Sequence, residues 1–399
     1  MPETQVWRTA WPQFQAFSPR SIDDVRVFFA PGRVNLIGEH TDYNGGYVLP
    51  AALTLGTWVF VRARSDGWLR FASTLFTEQI SCRTDDLVYR AQDGFANYPK
   101  GALWALGQLG MSVPGADFFF AGNLPHRAGL SSSASIEMAT AVAANALSDG
   151  QYDRTALVTA AKRAENEFLG VSSGIMDQFA VAMGERDRAL LLDCATLAYE
   201  TVPLKLEDYQ FVIMNTCYQR GLAESKYNER FAQCQQALKD LQHEVSGLQY
   251  LGQISELQWG EVADAIADPV IRGRARHVIL ENDRTLRAAK VWKSGDARGF
   301  GQLMNESHES LRDDYEVTGH ALDAIVEAAW QAPGCVGARM TGAGFGGCAV
   351  ALVERSRTEP FISSVIRDYK SATGLDGQCY LAEIGDGARE VTDEVKAWL

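Results

Sequence analysis

The chain has 399 residues, 46 % of them hydrophobic, with a formal net charge of -13 and a pI near 5.0. That length favours two domains, and the apolar content is enough for sizeable cores. The acidity argues against a general binder of nucleic acid or anionic membranes; an anionic ligand would need a metal, a helix N-terminus or a few basic side chains.

Seven cysteines lie scattered, without a C-x-x-C pair. They read as reduced thiols of a cytoplasmic protein, not as a disulfide frame or zinc site. Met1 to Arg20 has no long apolar run, so it reads as neither signal peptide nor membrane anchor. No stretch reaches transmembrane length free of charge.

In chain order, Val25 to Ala30 reads as a strand that Pro31 and Gly32 end. Leu55 to Arg64 and Trp68 to Thr74 alternate and read as strands. Pro99 to Leu109 reads as a helix, and Ala116 to Ala121 as a buried strand. Asn123 to Ser133 is a turn-rich loop. The helix after it carries Ile136, Ala139, Ala143 and Leu147 at helical spacing. Helices are predicted over Arg154 to Leu169 and Ile175 to Met183, and a strand over Ala189 to Asp193. Charge and proline interrupt the pattern near Pro203 to Asp208. This predicts two units, residues 1–205 and 206–399. Tyr209 to Asn215 opens the second as a strand, and helices fill most of Glu224 to Gln331. Strands Val336 to Met340 and Cys348 to Val353 flank a glycine cluster. A helix from Pro360 to Thr373 and a strand from Gln378 to Ile384 follow. The layout is α+β in each half, with strands and helices segregated.

Four stretches carry chemistry. Between Arg33 and Asp42 stand a guanidinium, the Glu39 carboxylate, the His40 imidazole and a second carboxylate, with Gly38, Gly45 and Gly46 beside them. Such density suits a polyhydroxylated ligand, because each hydroxyl needs a donor and an acceptor. Gly129-Leu130-Ser131-Ser132-Ser133 precedes an alanine-rich helix. There backbone N–H groups and the helix dipole can converge on an anion, and a hydroxyl can ligate Mg²⁺. Gly342-Ala343-Gly344-Phe345-Gly346-Gly347 matches G-x-G-x-x-G, but a β-like run follows it where a dinucleotide site needs a helix. A glycine turn between strands fits better. Asp177 sits at the start of a helix. Glu165 lies beside the apolar stripe of Leu157, Ala161, Ala164 and Phe168. A carboxylate there needs a partner, either a metal or a buried Lys or Arg.

Taken together, these stretches resemble the GHMP family of small-molecule kinases, and within it the galactokinases. Gly32 to Gly46 resembles the galactokinase signature, Gly129 to Ser135 the phosphate loop, and Gly342 to Gly347 the third family motif. Ser225-Lys226-Tyr227-Asn228 and Arg312-Asp313-Asp314 extend the likeness. The resemblance implies an N-terminal domain like ribosomal protein S5 domain 2, a ferredoxin-like C-terminal domain, and an active site between them. It implies transfer of the γ-phosphate of MgATP to the anomeric hydroxyl of galactose. Asp177 and Arg33 match the catalytic pair. Glu39, His40, Thr41, Asp42, Gly174 and Tyr227 match the sugar positions. Ser133 and Glu165 match the Mg²⁺ ligands. Phe95 and Tyr98 match the adenine segment, and Arg127, Ala128, Gly129, Leu130, Ser131, Ser132 and Ser133 the ATP loop. The chain departs from the family at Arg127, where Gly is usual, at Ala343, and at Phe95, which replaces a frequent Trp. An intact Ser133-Ala134 pair argues against a non-catalytic galactose and ATP sensor. A related kinase of N-acetylgalactosamine or another pyranose is the enzyme alternative. The expected partners are the sugar and ATP, in a cytoplasmic monomer without nucleic acid or membrane.

Overall fold

The computed structural model describes residues 3–125, 128–218 and 223–399. The first half runs α1 (Glu3–Phe17), β1 (Arg26–Asn35), β2 (Tyr47–Val48), β3 (Pro50–Arg64), β4 (Trp68–Ser73), β5 (Ile80–Arg83), α2 (Asn97–Gln108), β6 (Gly115–Gly122) and α3 (Ser132–Leu147). Then come α4 (Arg154–Arg163), a π-helical turn at Ala164–Leu169, α5 (Met176–Met183), β7 (Arg188–Asp193) and β8 (Tyr199–Pro203). The second half holds β9 (Tyr209–Asn215), α6 (Ala223–Gln242), α7 (Glu256–Val262), α8 (Pro269–Lys293), α9 (Ala297–Asp313) and α10 (Gly319–Gln331). It closes with β10 (Cys335–Thr341), β11 (Cys348–Glu354), α11 (Thr358–Thr373), β12 (Gln378–Leu381), β13 (Arg389–Glu390) and α12 (Thr392–Trp398).

A six-stranded sheet has the order β13-β1-β3-β6-β4-β5, a four-stranded sheet β10-β11-β9-β12, and a small sheet β2-β7-β8. The large sheet is covered on both faces. Phe28, Val59, Phe118 and Phe120 pack against Ala134, Met138 and Ala139 of α3. Their neighbours Phe29, Phe60 and Phe119 face Trp7, Ala10 and Phe14 of α1, with Val395 of α12. Strands buried on both sides read as continuous apolar runs, which is why Phe118-Phe119-Phe120 carries no alternation. The alanines of α3 let that helix lie close to the sheet. A further apolar cluster joins the halves: Leu36, Leu49 and Leu130 pack with Phe211, Trp292 and Val350.

β1 does not end at Pro31. It continues to Asn35 through a register shift between Pro31 and Arg33. A bulge accommodates a residue without an N–H and re-aims the side chain after it, here Arg33. Gly32 is required there, since a Cβ would lie 2.6 Å from the Leu130 carbonyl oxygen. The glycine cluster at 342–347 is a turn between two antiparallel strands, with Thr341 paired to Cys348. Two terminal features escape the sequence reading. The spacing of Val6, Trp7, Ala10, Phe14 and Phe17 is the apolar stripe of α1. At the other end, β13 pairs with β1, Glu390 opposite Phe28, so the chain returns to its first sheet.

Candidate active site

Arg33 emerges from the β1 bulge and meets Asp177 in the first turn of α5. Arg33 Nε and Nη2 donate to the two Asp177 carboxylate oxygens at 2.8 Å each. Ser131 Oγ donates to Asp177 Oδ2 at 2.6 Å. Arg33 also clasps the loop before α3, donating from Nη1 to the Gly129 carbonyl at 2.8 Å and from its own N–H to Leu130 O at 3.2 Å. From the other half, Gly342 approaches the same loop; a Cβ there would lie 3.1 Å from Gly129 O. Asp177 is thereby tied to two segments far from it in sequence.

The loop after β1 is shaped by its own backbone. Gly38 and His40 have φ of 94° and 62°, and the latter is an uncommon conformation for a side-chain-bearing residue. Thr41 holds the loop: its hydroxyl donates to Gly38 O at 3.0 Å and to Tyr47 O at 2.7 Å. Asn44 Nδ2 donates to His40 O at 2.9 Å. Glu39, His40 and Asp42 are thus presented to a cavity of about 210 Å³, which Arg33, Ser133, Glu165, Gly174, Asp177 and Tyr227 also line. Val171, Met176 and Ala343 supply apolar wall.

Burial sets the charges here. It pushes Asp42 up to about 6, helped by the neighbouring Asp177 and Glu39 carboxylates. Burial holds His40 down to about 3, with His277, Arg230 and Arg339 adding repulsion, so His40 is neutral near pH 7. His40 Nδ1 pairs with the Tyr43 hydroxyl at 2.8 Å. Its Nε2 is buried and makes no regular hydrogen bond among the described residues. Burial also raises Glu39, against the opposing charges of Arg339 and Arg33. Carboxylates, a neutral imidazole, a phenol and a guanidinium around one small cavity can pair the hydroxyls of a sugar-sized molecule.

Glu165, in the π-helical turn, is 7 % exposed. Among the described residues no Lys or Arg forms an ion pair with it, so the salt-bridge reading of this carboxylate finds no partner. Burial raises it, while Ser173, Ser133 and Gln178 hydrogen bonds and repulsion from Asp177 act beside that. Among the described residues no group of three or more His, Cys, Asp or Glu is arranged for a metal on its own. One carboxylate and one hydroxyl suit Mg²⁺, which takes few protein ligands and completes its shell with water and phosphate. Glu137 of α3, which the sequence reading missed, is fully buried beside them. Burial and the Glu165 charge push it well above the usual carboxylate range. An acidic residue in an alanine-rich apolar stretch was the available signal.

Other expected residues sit elsewhere. Ala128 and Leu130 are buried core, so only their main chain can meet a ligand. Thr41 is fully buried behind the loop, its hydroxyl bonded as above, and it does not line the cavity. Ser132 is exposed at the start of α3. Phe95 lies outside the cavity wall: Phe76 stacks on it at 5.0 Å and Phe120 meets its edge at 6.3 Å. Tyr98 is half-buried on α2. Arg127 lies outside the described residues.

Family patterns match in both halves of the chain. The GHMP kinase N-terminal domain matches residues 97–185 and the GHMP kinase C-terminal domain residues 286–371. Fold and site together define a GHMP small-molecule kinase, two-domain and α+β, with the S5-domain-2-like and ferredoxin-like halves expected. The galactokinase galactose-binding signature matches residues 13–63. A galactokinase of Halalkalibacterium halodurans is 47 % identical over 376 residues, covering 94 % of this chain and 95 % of the relative. One of Exiguobacterium sibiricum is 50 % identical over 371 residues, covering 92 % and 94 %. The crystal structure of Lactococcus lactis galactokinase complexed with galactose superposes with a TM-score of 0.92 at 43 % identity, covering 96 % of this chain and 99 % of that one. The chain belongs to the galactokinase family.

Proposed function

We propose that the protein transfers the γ-phosphate of MgATP to the anomeric hydroxyl of galactose, giving galactose 1-phosphate and ADP. The observation that carries this reading is the Arg33–Asp177 pair, set in one cavity wall with Glu39, His40, Asp42 and Ser133. Residues 1–205 and 206–399 would form the two units, the second lending β13 to the first sheet and packing α12 against it.

Glu39, His40, Asp42 and Tyr227 would pair the sugar hydroxyls, and Gly174 would leave Asp42 its room. Asp177 would receive or orient the attacking hydroxyl, and Arg33 would steady both Asp177 and the charge on the phosphates. Phosphoryl transfer through a loose transition state asks little of a base, so positioning dominates. The N–H groups of the 129–133 loop and the dipole of α3 would hold phosphate oxygens. The adenine of ATP would lie along the Phe95 to Tyr98 segment, beside Phe76. Ser133 and Glu165 would hold Mg²⁺, which when bound neutralises phosphate charge. Arg127 would serve as an ATP-loop residue.

An ADP-release assay over a sugar panel tests the function. Galactose should exceed glucose by at least about 10²-fold in kcat/KM, because a site that pairs each hydroxyl is left with unpaired polar groups by an epimer. Equal use of glucose, or a preference for N-acetylgalactosamine, would overturn the assignment. Galactose binding without ADP release would establish a sensor instead. The metal reading has its own test. Glu165→Ala should raise the Mg²⁺ needed for half-maximal activity, and weaken Mg²⁺ binding with ADP present, by about tenfold. A fall in melting temperature with unchanged Mg²⁺ titrations would return Glu165 to a structural role.

A further inference from the structure

Glu39 stands on the cavity wall, yet almost everything that holds it comes from the other half of the chain. Glu281 of α8 is fully buried. Its Oε1 accepts the main-chain N–H groups of Gly38 at 3.0 Å and Glu39 at 3.2 Å. His277, one turn earlier on α8, faces the Glu39 carbonyl with Nε2 at 3.1 Å. That nitrogen must carry the proton, so Nδ1 accepts from Ser310 Oγ at 2.9 Å. Arg339 of β10, also fully buried, donates from Nη2 to Glu39 Oε2 at 2.9 Å and from Nη1 to Asn35 O at 3.1 Å.

Ser307 of α9 couples the two supports. Arg339 Nε donates to Ser307 Oγ at 3.1 Å, and Ser307 Oγ donates to Glu281 Oε1 at 2.6 Å. The carboxylate and the main chain of Glu39 therefore hang on one continuous network. Arg284 pairs with the outer oxygen of Glu281. Burying so many charges is costly, and packed apolar residues usually stabilise a core at least as well. Stability alone does not account for the network; the geometry it imposes on one cavity carboxylate does.

We infer that Arg339, Glu281 and Ser307 are positioning residues for sugar recognition, fixing Glu39 in the single orientation in which it meets a sugar hydroxyl. None of the three lines the cavity. The inference rests on the proposed sugar reading of that cavity. Its consequence is that a loop of the first half reads the sugar only while α8, α9 and β10 of the second half are seated on it. A carboxylate displaced by about 1 Å loses much of its discrimination between epimers.

The test uses the full chain carrying Ser307→Ala, Arg339→Lys or Arg339→Met, with melting temperatures and with KM and kcat measured separately for galactose and ATP. Ser307→Ala changes no charge and should raise KM for galactose about tenfold, leaving KM for ATP within about twofold. Arg339→Met should raise KM for galactose about 100-fold and narrow the preference over glucose. Arg339→Lys should recover part of both. Equal rises for both substrates, no rise for either, or an Arg339→Lys indistinguishable from Arg339→Met would overturn the inference. If the Arg339 variants do not fold, Ser307→Ala decides alone. Wild-type protein that fails to phosphorylate galactose would bring down the functional reading and this one together. Wild-type turnover with unmoved variants would bring down only this one.

Discussion

Asp177→Asn is expected to lower turnover with galactose by about 10³-fold while leaving the fold and ATP binding largely intact. The two oxygens of Asp177 accept from Arg33 at two points and from Ser131 at a third. An amide keeps the shape but replaces one acceptor with a donor that opposes Arg33. The pair then rotates or parts, and the attacking hydroxyl loses the group that receives or orients its proton. Arg33 keeps its own bond to the Gly129 carbonyl, so KM for ATP should stay within about twofold of the unsubstituted protein. ADP release measures turnover, nucleotide titration measures ATP binding, and thermal melting reports the fold. Near-normal turnover would remove Asp177 from the chemistry.

Gly174→Ala is expected to raise KM for galactose by about 10²-fold. A Cβ at this position would lie 1.8 Å from Asp42 Oδ2 and 2.2 Å from its Cγ, so the carboxylate must move. Asp42 also sets a pH dependence. Its pKa is raised to about 6 in the fold, so the folded protein holds a proton there that the unfolded chain has released above about pH 4. Stability from this group is therefore greatest at low pH and declines as pH climbs toward 6. Sugar binding runs the other way, because a hydroxyl donates best to the ionised carboxylate. KM for galactose should fall as pH rises through about 6 in the wild type, and this dependence should weaken in Gly174→Ala. A wild-type KM and pH profile in the variant would show that Asp42 does not meet the sugar.

Much of the site is legible in the sequence because its signals are local. Gly38, Gly174 and the 342–347 cluster mark places where the chain turns or touches. The cluster of Arg33, Glu39, His40 and Asp42 is dense enough to announce a polar ligand. These four, with Ser133, Glu165, Asp177 and Tyr227, line one cavity. Helix and strand periods are local as well, so most elements fall within a few residues of their expected bounds. The exceptions follow from packing. β1 runs through Pro31 because a bulge against β3 absorbs it.

What the amino-acid order determined by itself is most of the elements and the chemical kind of the ligand. Period, glycine placement and residue type act over a few positions, and each is visible in one dimension. Which groups meet was decided only by the tertiary structure. Thr41 and Ser131 read as ligand contacts, yet their hydroxyls turn to the loop and to Asp177. Phe95 matches the adenine segment, and the fold stacks Phe76 on its ring. Arg339 and Glu281 carry no motif; they matter because folding brings them to a loop some 240 to 300 positions away. Such contacts arise from the burial of apolar faces against one another, which orders distant segments without leaving a local trace in either.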